Sequence, residues 1–150
     1  MVVTALPDLA GAINSRLRSS SAIAALAGTR ISTVRQAAWS LPSAAVLIET
    51  GKGGGEDAPG LQWERVEVRC YGGGDGVSTQ IRNAHTLWRT VHYFFCPPVG
   101  SGRASGFVVM ASGETVSVLK VSQEGGPLRL IEPDEGWPYT WAAYRVVYAA

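Results

Sequence analysis

Charge is scarce in this sequence and lysine is nearly absent. Asp, Glu, Lys and Arg make up 17% of 150 residues, against ~25% in an average globular domain, and Lys52 and Lys120 are the only lysines. Thirteen basic residues face twelve acidic ones, giving a formal net charge of +1, and no basic run occurs. That balance argues against a protein whose main task is to neutralise nucleic-acid phosphates. A sparingly charged surface instead fits a chain that buries part of itself against copies or partners. Cysteine is equally rare: Cys70 and Cys96 cannot build the disulfide framework of a small secreted domain. The opening MVVTALPDLAG has no basic segment followed by a long apolar one, and no apolar run approaches the ~18 to 20 residues that cross a bilayer. The expectation is a protein that stays soluble where it is made.

What is present suffices for one domain, residues 1–150, able to bury roughly 70% of its unfolded surface without staples. Leu9, Ile13 and Leu17 form one stripe and Pro7 and Asp8 suit a first turn, predicting a helix from about Pro7 to Ser19. SSSAIAALAG predicts a second short helix closed by Gly28. Residues 29–34 and 43–50 read as strands, and GKGGGEDAPG, residues 51–60, as a mobile, turn-rich loop joining two strands of a long hairpin rather than an element. In LQWERVEVRCY, Val66, Val68 and Cys70 share a face. Leu61 and Trp63 fall out of phase with them, which predicts a bulge near Glu64 and Arg65.

The strongest helical pattern follows. Val77, Ile81, Ala84, Trp88, Val91 and Phe95 recur at spacings of four and three, with Arg82, Thr86, Arg89 and Tyr93 roughly opposite, until CPPVG stops the helix. GFVVMAS and ETVSVLKVSQ, around a turn at Ser112 and Gly113, then PLRLIE and TWAAYRVVYA, read as strands. Helices, strands, a long helix and more strands, without βαβ alternation, indicate an α+β fold. Its sheet should be mixed but mainly antiparallel, packed against one long amphipathic helix, with an N-terminal helix besides.

No motif carries catalysis. YGGGDGVSTQ runs from a strand into a helix as phosphate loops do, but it has no lysine and fits neither G-x-x-x-x-G-K-[ST] nor G-x-G-x-x-G. Asp75 would repel a phosphate and better serves as the helix N-cap. Lys52 in GKGGGE is followed by Gly53 where a phosphate loop needs Ser or Thr. Cys70 reads as a small buried hydrophobe, and Cys96, at a helix C-terminus, faces a partial negative charge that raises its pKa. A Cys70–Cys96 disulfide stays open on sequence alone, although cytosolic assembly disfavours it. His85 and His92, seven residues apart, are separated by about 10.5 Å of helical rise and cannot share a metal. Residues 132–136, EPDEG, read as a solvated turn. Trp137, Tyr139, Trp141, Tyr144 and Tyr148 crowd the last strand. With only Arg145 beside them they suit packing or subunit contact better than base stacking. No cofactor and no metal is expected.

Taken together, this layout resembles the tail completion, or tail terminator, proteins of long-tailed, siphovirus-like bacteriophages. The residues that carry the likeness are Ala25-Leu26-Ala27-Gly28-Thr29-Arg30-Ile31, the Asp75 to Phe95 helix, and Pro133-Asp134 followed by Tyr144-Arg145-Val146. The likeness covers most of the chain; the proline-rich CPPVGSGRASG segment and the long GKGGGEDAPG loop depart from the pattern. The resemblance implies a virion protein, assembled in the host bacterial cytoplasm, that forms a six-membered ring on the tail tube. Such a ring stops tube polymerisation and offers a surface to the neck proteins of the head, with no catalysis. Its partners would be its own copies, the tail tube protein and a head-closure or neck protein, with no membrane and no direct nucleic-acid recognition. Residues Gly51, Lys52, Gly53, Gly54, Gly55, Glu56 and Asp57 are expected to order on the tube, and Trp137, Tyr139, Trp141 and Arg145 to meet a neighbouring subunit. A head-closure component, a small single-stranded nucleic-acid-binding module and, last, an enzyme using Cys70 are the alternatives.

Overall fold

The computed structural model describes residues 6–36, 39–40, 43–102, 105–111 and 113–149. Helices α1 (Leu9–Arg18) and α2 (Ser21–Ala27) lead into β1 (Ile31–Ser32), β2 (Ala45–Glu49), β3 (Gly54–Ala58) and β4 (Leu61–Tyr71). Helix α3 (Val77–Phe95) follows, then β5 (Phe107–Ala111), β6 (Glu114–Ile131) and β7 (Pro138–Ala149). The strands form one curled sheet in the order β1-β2-β4-β7-β6-β5, antiparallel except for β1 beside β2. The fold is α+β, as the pattern of elements indicates.

Local chemistry explains the helix boundaries. Asp8 caps α1 by accepting from the Gly11 N–H at 2.9 Å. Ser20 does the same for α2 from Ile23, and Gly28 ends that helix at φ +60°. α3 ends at Phe95 as predicted but starts at Val77, and it lacks the predicted cap: Gly76 occupies the N-cap and makes no side-chain cap hydrogen bond, so Asp75 does not serve there. Nor does the predicted stripe hold at its first residue, since Val77 is exposed.

Three further expectations are corrected. The segment 51–60 is not merely a loop. Gly54–Ala58 forms β3, which pairs with Leu61–Glu64 along the edge of β4 that β2 occupies farther on. No bulge occurs at Glu64 and Arg65, because β4 pairs with β7 over eleven consecutive residues without a register shift. Leu61 and Trp63 are out of phase with Val66 because they belong to the other face of the sheet. Finally, ETVSVLKVSQ and PLRLIE are one 18-residue strand, β6, which absorbs its glycine pair through register shifts against β7. The predicted turn at Ser112, and part of the CPPVGSGRASG segment, lie outside the described residues.

Alternation sorts the side chains into two layers. One face of the sheet presents Val46, Ile48, Val66, Val68, Tyr144 and Val146 to the main core, which α1, α2 and α3 close together. The helical layer is thus shared by three helices rather than supplied by one. The other face carries a small cluster at one end, where Trp39 packs with Ala45, Leu47 and Tyr71 against Trp137 and Tyr139. No helix contributes to that cluster.

Candidate functional site

The face of the sheet turned away from the helices collects the residues singled out in the sequence. Tyr139, Trp141 and Arg145 alternate along β7 and stand opposite Tyr71, Arg69 and Arg65 of β4. The partnership of Arg65 and Arg145 places two like charges directly across the ladder, which is unfavourable unless each is compensated. Compensation is visible. Arg65 lies 3.8 Å from Glu67 and 3.7 Å from Glu124, while Arg145 reaches Asp57 of β3 at 2.6 Å and covers the Trp63 ring at 4.2 Å. Arg69 pairs with Glu49 at 2.9 Å and lies 5.0 Å from the Tyr139 ring. Lys52 lies 3.7 Å from Glu49 and 3.9 Å from Glu67.

Both predicted sets therefore meet on one surface. Trp137, Tyr139, Trp141 and Arg145 sit on the open face, and the 51–57 segment is tied to it through Asp57 and Lys52. Gly54 fixes the approach of that segment, because a Cβ there would lie 2.7 Å from the Trp63 carbonyl oxygen. The surface is aromatic and charge-balanced, each arginine offering a flat cation to a ring and a carboxylate.

At one end the face holds a network absent from the sequence reading. Glu132 is buried rather than solvated: it accepts from the Tyr71 hydroxyl and from Arg35 at 2.8 Å, with Arg69 at 3.9 Å. Arg35 also reaches Glu135 at 2.5 Å and stacks 3.9 Å from the Trp137 ring. Burial, and then the adjacent Glu132, push the Tyr71 hydroxyl pKa upward, so it stays a proton donor. Arg35 and Glu132 lie 97 residues apart, and no local spacing could pair them. The odd-numbered series Trp63, Arg65, Glu67, Arg69 and Tyr71 is the sequence signal that marks this second face.

The other sequence candidates are dispersed. In the glycine cluster the carbonyls of Gly73 and Gly74 accept from the side-chain amides of Asn83 and Gln80 at 3.2 and 2.9 Å. The loop spends these acceptors on α3, and no lysine accompanies them. Cys70 is fully buried, with its thiol pKa pushed up by desolvation, and Cys96 is raised by the same cause; both are free thiols. His85 and His92 flank Trp88 as ring neighbours at 5.4 and 5.0 Å. Among the described residues no group of three or more His, Cys, Asp or Glu is placed to hold a metal ion, and no helix is long and apolar enough to cross a membrane. No protein-family model matches the chain, and no curated protein is similar to it in sequence.

Proposed function

We propose that this protein is a bacteriophage tail structural subunit that caps the tail tube as a ring, ending tube polymerisation and offering a joining surface to the head. The observation that carries the reading is the open sheet face. Trp137, Tyr139, Trp141 and Arg145 lie together on a half-buried aromatic surface that no helix covers, bordered by the β3 segment. Aromatic and arginine side chains of this kind are the residues that dominate protein interfaces. A closed ring needs heterologous contacts between two different faces of each subunit. The aromatic sheet face and the opposite helical layer are chemically distinct enough to supply them. In this reading α3 is the long amphipathic helix of the tail-terminator pattern, the subunits form a hexamer in the virion, and Gly51 to Asp57 face the tail tube protein. Assembly takes place in the bacterial cytoplasm, and the reading involves neither catalysis nor a cofactor.

Light scattering across a concentration series, with and without tail tube protein, tests this. The expected result is a hexamer, or a monomer driven into rings by the tube. A persistent monomer indifferent to tube protein overturns the reading and favours a head-closure or a nucleic-acid-binding role.

A further inference from the structure

The helical layer leaves one end of the sheet incompletely covered. Between the first turns of α3 and the last third of β6 lies an apolar slot of about 240 Å³, lined by Ile81, Leu130, Ile131, Tyr139 and Thr140 together with Arg129. Through Ile81 and Arg129 it runs into a broader trough of about 450 Å³, bordered by Arg82, His85 and Arg89.

Three observations set this groove apart from the rest of the surface. First, Arg82, Arg89 and Arg129 are exposed, and none forms an ion pair among the described residues, in contrast to the compensated arginines of the open face. α3 carries no acidic residue at all. Second, two polar atoms lining the groove are buried without a hydrogen-bond partner: Thr140 Oγ1, on a residue only 1% exposed, and His85 Nδ1. Orphaned buried groups carry an uncompensated desolvation penalty and are rare without a reason. Third, Ile131, which lines the slot, is 57% exposed.

We propose that this groove binds a segment of a partner protein in which an apolar side chain is flanked by carboxylates. The apolar side chain enters the slot against Ile81 and Ile131. The carboxylates meet Arg129 on one side and Arg82 and Arg89 on the other. A nucleic-acid strand or free phosphate would satisfy the arginines but gain nothing from the aliphatic slot, so a peptide fits the whole groove better. The site reaches the helical side of the sheet through Ile81, Arg129 and Thr140, shares Tyr139 with the open face, and does not depend on the ring reading.

The test uses the full chain and a fluorescein-labelled peptide with one leucine-phenylalanine pair between two glutamates on each side, read by anisotropy and by the methyl NMR signals of Ile81 and Ile131. Saturable binding that shifts those methyls is expected. Replacing the apolar pair by serines, replacing the glutamates by glutamines, or combining Arg89→Gln with Arg129→Gln on the exposed surface should each weaken binding by about fivefold or more. A thymidine hexanucleotide and inorganic phosphate serve as competitors and should bind more weakly than the peptide. The proposal is overturned if the peptide fails to bind, if the serine peptide or the hexanucleotide binds as tightly as the parent, or if the arginine variant binds unchanged.

Discussion

His92 occupies a position where protonation has a structural cost. Trp88 Nε1 donates to the Tyr144 hydroxyl at 3.1 Å, and His92 Nδ1 lies 3.0 Å from the same oxygen. With Trp88 donating, the Tyr144 proton points to Nδ1 of a neutral imidazole. A protonated His92 would become a second donor and strand the buried Tyr144 proton. Burial lowers the His92 pKa below its ordinary value near 6.5; burial, then Arg129 and Arg89, lower that of His85. For a depressed histidine the stabilisation is complete above the ordinary value and is lost as pH falls through the folded one. Thermal midpoints should therefore drop as pH falls from 7.5 to 5, and His92→Gln, whose side-chain carbonyl can accept from Tyr144, should flatten part of that response. An unchanged pH profile in the variant would remove His92 from the account. The sequence placed both histidines beside the core stripe of the helix. It could not show Tyr144 reaching across 52 residues to one of them.

Among the elements, the junction of β4 with α3 depends on Gly72. A Cβ there would lie 2.1 Å from Ala84 N and 2.2 Å from Gln80 O, inside the α3 backbone. Gly72→Ala must push the helix from the sheet and should cost about 3 kcal/mol, read from the denaturant midpoint. The glycine cluster was legible as a turn, and here is its physical reason: close helix-strand contact, with amide side chains holding the carbonyls. β3 was not legible, because its GGEDA sequence has poor strand propensity and owes its conformation to the free edge of β4 and to Arg145. Deleting Lys52 to Asp57 removes that strand and the ion pairs of Lys52 with Glu49 and Glu67 and of Asp57 with Arg145, but no residue of the main core. Cooperative unfolding should survive while tail assembly on the tube is weakened; unimpaired assembly would exclude the segment from tube contact.

On the scale of the whole molecule, charge is segregated. The three helices contain Arg16, Arg18, Arg82 and Arg89 and no acidic residue, so the rest of the chain holds nine basic against twelve acidic residues. Subunits that set a helical layer against a neighbour's acid-bearing surface would attract over distances that salt screens within about 8–10 Å near physiological strength. The mass measured by light scattering should accordingly fall between 0.05 and 0.5 M salt, in roughly that range of screening. The layered α+β architecture was readable from periodicity alone. The division of charge was not, since net charge hides it and only the element boundaries reveal it.

β5 forms one border of the sheet; β1 ends the other, with β3 a further edge beside β4. β5 is a five-residue apolar strand with Val108 and Met110 exposed, whereas β3 at the opposite side carries two glycines and two acids. The first would accept an added strand readily and the second would repel one. Strand-by-strand polymerisation into a fibril requires two receptive borders on every unit, and across the sheet from β5 the described residues offer only this acid-bearing strand and the two-residue β1. Any pairing through β5 therefore ends at two molecules joined back to back, and extended growth is closed off by the very short and the acid-bearing strand on the far side.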